Sequence, residues 1–242
     1  GFITAFTLTG ASMAINAYYD YEIDKINEPH RPLISGVVKR RESLIFALIL
    51  IFLGLSASAF IFPLSFMPIL IATISLLISV AYATKGKRTG LPGNFLVSAC
   101  VAIPFIYGSF IVDQGISFKV LLFSALAFFS NSGREVAKGI VDVEGDRARG
   151  IRTIMVIHGV KVASIISSFF FLFAIFLSLI PWLTSIVSIW YIPFIIVADV
   201  GFFYSSIVMA QNPSRKKVRR TKNFVLIWML LGMISFFAGT LK

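Results

Sequence analysis

The stretch VASIISSFFFLFAIFLSLI, residues 162–180, decides the fold. A strand in a half-buried sheet or a membrane barrel alternates apolar and polar residues, whereas this run is apolar on every side. Read as a helix it rises about 28 Å at 1.5 Å per residue, close to the thickness of a bilayer's hydrocarbon core. Seven further runs of similar length and character follow the same reading: 1–20, 43–62, 66–84, 91–112, 117–140, 184–208 and 222–241. The expectation is an all-α, polytopic membrane helix bundle of eight spanning helices forming a single domain over residues 1–242. The composition agrees, because 57% hydrophobic residues, 25 of them Phe, and a mean hydropathy of +0.90 are far outside the range of soluble domains of this length. One cysteine, Cys100, inside an apolar run, excludes an intrachain disulfide framework and a cysteine-based metal cluster.

Twenty of the 22 Lys and Arg residues fall in four groups, at 25–41, 85–88, 134–161 and 215–222. If eight helices alternate in direction, all four groups emerge on one side, and the opposite loops (FPLSF at 62–66, DQGIS at 113–117, PWLTS at 181–185) carry almost no positive charge. The positive-inside rule makes the basic side cytoplasmic. The net charge of +11 therefore reflects orientation and attraction to anionic headgroups, with no nucleic-acid partner expected. The lipid bilayer is the expected partner, and nothing in the sequence calls for an obligate protein partner.

Acidic residues are few, and they are patterned. In NAYYDYEIDKINEPHRP, residues 16–32, Asn16, Asp20 and Asp24 recur every four residues and stack on one helical face. In NSGREVAKGIVDVEGDRARG, residues 131–150, Lys138, Asp142 and Asp146 have the same spacing, with Asn131 and Glu135 further up that face. Both ladders end at the cytoplasmic surface, and each is followed by an arginine, Arg31 and Arg152. A solvated helix end or a salt-bridged helix pair is the plain alternative. Carboxylates at membrane depth, however, are costly to hold without a counter-charge or a ligand. Four converging Asp side chains repel one another unless cations lie between them. All-oxygen ligands suit Mg²⁺, which keeps some waters and binds through one or two carboxylates together with a substrate's phosphates.

NxxxDxxxD followed by INEPHRPLISG, paired with GREVAKGIVDVEGDRARGIRT, resembles the two aspartate motifs of the UbiA superfamily of intramembrane prenyltransferases over essentially the whole chain. Within it, RPxxSG and REVxKGxxDVEGD are most similar to the archaeal geranylgeranyl transferases of ether-lipid synthesis; chlorophyll synthases share INEPxRPxxSG. The resemblance implies nine helices around a central cavity open to lipid, with the motifs on the second and sixth. Here they lie on the first and fifth, so a further helix is expected before residue 1. The family motif usually reads NDxxDxxxD, whereas Ala17 follows Asn16 here, one carboxylate fewer.

The resemblance further implies Mg²⁺-dependent transfer of a prenyl group from an isoprenoid diphosphate to a lipid-like acceptor, at the cytoplasmic side of the cell membrane. Asp20, Asp24, Asp142 and Asp146 are the expected catalytic metal ligands, with Asn16 as a further oxygen donor. From YATKGKRTGLPGN, residues 82–94, Tyr82 and Lys85 are expected at the diphosphate. Arg31, Arg134, Lys138 and Arg152 are expected on the diphosphate or an anionic acceptor, since Arg makes two-pronged contacts with phosphate. Lys138 has a second option, neutralising Asp142 one turn away. Asp199, inside a span, reads as an acceptor contact or a hydrogen-bonded helix contact; His30 and His158 read as surface residues. Geranylgeranylglyceryl phosphate is the favoured acceptor, with a chlorin or quinone-precursor ring as the alternative. A transporter or cation channel is a distant third, because transport sites sit near the bilayer midplane between broken helices.

Overall fold

The structure is a computed structural model that describes residues 1–61, 65–148, 150–211 and 213–241, with every side chain in them except those of Ile23 and Asn27. Part of the expected loop at 62–66, and the cations Arg149 and Lys242, lie outside the described residues. The chain divides into two compact units, Gly1–Ile116 with Glu144–Arg152, and Ser117–Val143 with Thr153–Lys242. All regular structure among the described residues is helical.

The first unit holds α1 (Phe2–Asn27), α2 (Arg40–Ala59), α3 (Met67–Thr84), a single 3₁₀ turn (Gly86–Thr89) and α4 (Leu91–Val112). Helix α1 stops where the sequence reads Glu-Pro: Pro29 cannot donate to the helix and forces Glu28 out of the α region, to φ −142° and ψ 65°. Helix α2 starts where the Glu42 carboxylate accepts from the Lys39 backbone N–H at 2.8 Å. Prolines in the first turns of α3 and α4, Pro68 and Pro92, occupy positions whose N–H groups have no helical partner. Helix α1 packs against α2 and α3, and α3 against α4.

In lipid the tails are as apolar as leucine, so contact between helices depends on small residues and interhelical hydrogen bonds. Gly54 on α2 lies so close to α1 that an added Cβ would fall 2.6 Å from Thr7 Oγ1, and Ser43 Oγ donates to the Ala14 carbonyl at 3.0 Å. Large side chains such as Phe46 and Phe52 point outward instead.

The second unit holds α5 (Phe118–Val141), α7 (Ile154–Leu183), α8 (Tyr191–Gln211) and α9 (Arg215–Ala238). Between α5 and α7 the chain forms the short α6 (Val143–Ala148), whose residues from Glu144 onward belong to the first unit. Helix α5 packs against α7 and α9, and α8 packs against both of those. Gly133 permits the α5–α7 approach: a Cβ there would lie 2.6 Å from the Phe171 ring and 3.0 Å from the Ser167 carbonyl. Ser167 Oγ donates to the Gly133 carbonyl at 2.8 Å. Ser168 Oγ donates to the Ser206 carbonyl at 3.0 Å.

Eight spans were expected, and among the described residues eight long helices occupy the expected places, but six of them are long and apolar enough to cross a membrane: α2, α3, α4, α7, α8 and α9. Helices α1 and α5 are not among the six, because Thr, Ser, Asn, Gly and the charged ladder residues dilute them. Two boundaries also move. The span expected at 184–208 begins at Tyr191, after a turn with Ser185 at φ 55°. The one expected at 162–180 is preceded by a helical turn from Ile154 that breaks at Gly159, φ 79° and ψ 175°.

Candidate active site

At the C-terminal end of α1, Asp20 and Asp24 are 3% and 6% exposed, far more buried than carboxylates usually are. Each is met by one cation. Lys87 Nζ donates to Asp20 Oδ2, and Arg31 Nη1 donates to Asp24 Oδ2 at 2.6 Å. Arg31 reaches back because the chain after α1 curls into successive turns, with the Arg31 N–H bonded to the Glu28 carbonyl and the Arg31 carbonyl accepting from Ile34 and Ser35. Asp24 lies beyond the apolar run 1–20; burial pushes its carboxyl above the ordinary range, the Arg31 guanidinium pulls it back, and the Asp20 charge adds to the rise. One turn before Asp20, Asn16 Oδ1 is buried with no hydrogen-bond partner. The expected face is therefore real: two buried carboxylates and an orphaned amide oxygen at four-residue spacing.

Lys87, rather than Lys85, is the lysine that meets this face. Lys85 is exposed at the C-cap of α3, and Tyr82 is half-buried one turn earlier. The turn that aims Lys87 rests on close backbone contacts: a Cβ on Gly93 would lie 2.2 Å from the Gly86 carbonyl oxygen. Gly90 sits at φ 72°, where its own Cβ would come 2.9 Å from the Arg152 carbonyl. The segment after α6 thus lies directly against the turn that carries Lys87. Glycine at both ends of GKRTG was the available signal that its lysine, Lys87, turns away from the helix axis.

The second ladder is not one continuous helical face. Helix α5 ends at Val141 with Asp142 as its C-cap, at φ −92° and ψ 7°, and α6 begins a new turn at Val143. Short polar Asp competes for backbone hydrogen bonds and favours helix ends, which accounts for the break. Asp142 is half-buried in the second unit. Asp146 is 5% exposed and belongs to the first unit, as Asp20 and Asp24 do. Arg152 has an exposed side chain.

Lys138 Nζ lies 3.5 Å from Glu135 Oε2, one turn above Asp142. Arg134 Nη1 donates to Glu135 Oε1 at 3.0 Å, while its Nε is buried without a partner. Glu135, 7% exposed, is thus a buried carboxylate between two cations, a role that spacing alone did not assign. Asp199 is a helix contact in this structure, accepting from Ser178 Oγ at 2.7 Å. His30 and His158 are exposed.

Chemically, the end of α1 offers hard oxygen donors that need positive charge, with cations already in place. Among the described residues no three or more His, Cys, Asp and Glu side chains form a complete metal cage.

The model of the UbiA prenyltransferase family matches residues 1–234. The digeranylgeranylglyceryl phosphate synthase of Korarchaeum cryptofilum is 37% identical over 226 residues, which cover 93% of this chain and 79% of that protein. A solved digeranylgeranylglyceryl phosphate synthase structure superposes with a TM-score of 0.77 at 31% identity, covering 98% of this chain and 83% of the other. A UbiA homologue from Archaeoglobus fulgidus, bound to GPP and Mg²⁺, shares the fold at a TM-score of 0.65 and 16% identity, over 98% of this chain and 89% of its own. A family match along nearly the whole chain, joined to a helical membrane architecture and a relative above 30% identity, shows that this chain belongs to the UbiA prenyltransferase family and is a multi-pass membrane prenyltransferase.

Proposed function

We propose that this enzyme transfers the geranylgeranyl group of geranylgeranyl diphosphate to the free hydroxyl of geranylgeranylglyceryl phosphate, forming the second ether bond of archaeal membrane lipids. The observation that carries the reaction class is the buried face at the end of α1, where Asp20 pairs with Lys87, Asp24 pairs with Arg31, and Asn16 Oδ1 has no hydrogen-bond partner among the described residues. The choice of acceptor is supported by the relatives of 30–37% identity, which carry the name digeranylgeranylglyceryl phosphate synthase.

The donor set fits Mg²⁺, which binds through one or two carboxylates with substrate phosphates and water and so does not require a complete protein cage. Asp20 and Asp24 would hold it, with Asn16 as a neutral oxygen donor and Asp142 and Asp146 as the second ladder's contribution. Bound there, Mg²⁺ supplies Lewis-acid neutralisation of the diphosphate. In the transfer itself the allylic C–O bond breaks, its electron pair leaves on the diphosphate, and the acceptor oxygen forms the new C–O bond as its proton passes to the released diphosphate or to water. Lys87 and Arg31 already neutralise the carboxylates and supply cations to the departing diphosphate; Lys85 adds a further cation and Tyr82 a neutral hydroxyl donor. Arg134, Lys138 and Arg152 bind the acceptor's own phosphate. The apolar helices keep water from the allylic centre, which would otherwise be quenched.

In this reading α1 and α5 also cross the bilayer, giving eight spans, the basic side is cytoplasmic, and residues 1–242 work as one functional domain. The test is an assay of the purified protein with labelled geranylgeranyl diphosphate and a panel of acceptors. Label is expected in the phosphorylated glycerol ether. Label in a chlorin or quinone-precursor ring alone would overturn the acceptor and leave prenyl transfer standing.

A further inference from the structure

On the second unit, α8 and α9 leave an open groove of about 900 Å³, apolar along most of its length and cationic at one end. Gly201 brings the two helices together at its floor: a Cβ there would fall 2.3 Å from the Trp228 indole. Beside this contact, Val200 and Tyr204 on α8 flare outward, 64% and 63% exposed. On α9 the guanidinium of Arg220 lies 5.5 Å from the Phe224 ring centre, and Phe224 stacks on Trp228 at 6.2 Å. Spacing of four residues puts these three on one face, so the groove grades from cation to aromatic along the helix. Lys217 stands one turn before Arg220, and neither has a carboxylate partner among the described residues.

A uniformly apolar helix face accepts any lipid tail, but two unneutralised cations at the mouth of an apolar channel complement one particular shape of ligand: an anionic phosphate with a hydrocarbon chain attached. We propose that this groove binds one anionic phospholipid of the surrounding bilayer, its phosphate on Lys217 and Arg220 and a chain along Val200, Tyr204 and Trp228. The groove shares no residue with the Asp20 face and does not depend on the identity of the acceptor.

Trp228 provides its own probe. In a Trp182→Phe/Trp190→Phe protein it is the only indole left of three. This protein is reconstituted in phosphatidylcholine bilayers containing increasing fractions of either brominated-chain phosphatidylglycerol or brominated-chain phosphatidylcholine, and quenching of Trp228 is recorded. Half-maximal quenching is expected at about a tenfold lower mole fraction of the anionic lipid, a preference that two headgroup-directed cations can supply. Adding Lys217→Gln and Arg220→Gln, both exposed positions whose loss spares the core, is expected to make the two curves coincide while quenching itself persists. Coincident curves before that change would overturn the proposal. So would a preference that survives it, which would assign the effect to the general basic surface.

Discussion

Lys87 is the residue on which the first ladder depends most. Its Nζ pairs with an Asp20 side chain that is only 5% exposed, and removing one partner of such a pair leaves a buried, uncompensated charge at about 3–5 kcal/mol. Lys87→Met is therefore expected to lower the thermal unfolding midpoint of the purified protein in chelator, and Mg²⁺ to recover part of the loss by giving Asp20 a new cation. Lys85→Met, at an exposed cap, is expected to leave that midpoint unchanged; equal losses in the two variants would remove the distinction drawn between them. A second residue-scale prediction concerns Arg134. Its guanidinium is held by Glu135, with Nε buried and unpartnered, so it is ordered and retains unused donor capacity. Arg134→Gln is expected to raise KM for the phosphorylated acceptor by roughly 10- to 150-fold, the equivalent of one charge-assisted hydrogen bond of about 1.5–3 kcal/mol, with a smaller change for the prenyl diphosphate. Steady-state kinetics in each substrate separates this from a general electrostatic effect, which would move both alike. The spacing of Asn16, Asp20 and Asp24 made their shared face legible in the sequence. The partner of Asp20 was not, because a lysine's direction depends on the glycine-bounded turn that carries it.

Among the elements, α5 shows how a close helix contact uses glycine. Gly133 is pressed against the Phe171 ring and the Ser167 backbone, so Gly133→Ala forces α5 and α7 apart and is expected to cost about 1–3 kcal/mol. Six residues on, a Cβ at Gly139 would meet Thr153 at an ordinary 3.8 Å, and Gly139→Ala is expected to be neutral or to gain up to about 1 kcal/mol from helix propensity. Thermal unfolding of the two variants side by side checks the contrast; similar losses in both would mean that helix contact at Gly133 is not the cause. The eight long helices were readable from the length of their apolar runs, six of them apolar enough to cross a membrane. The interruption at Asp142 was not, since a four-residue spacing of carboxylates reads the same whether or not the helix is continuous; only the cap geometry at Asp142 divides the ladder between α5 and α6. The same polarity that made α1 and α5 chemically conspicuous keeps them out of the six helices apolar enough to cross a membrane.

For the whole molecule, a strongly apolar chain keeps few carboxylates, and Asp20 and Asp24 on α1 are buried rather than solvated. Burial of that kind is stable only with compensating positive charge, supplied here by Lys87 and Arg31 and, in the proposed reaction, by a divalent cation together with the diphosphate. The most direct measurement is transfer of labelled geranylgeranyl from its diphosphate to geranylgeranylglyceryl phosphate by purified protein held in excess chelator and then titrated with Mg²⁺. The account predicts no transfer before the titration, recovery as free Mg²⁺ rises, and no recovery when Asp20→Ala is treated in the same way. Full turnover in excess chelator, or full recovery by Asp20→Ala, would contradict it.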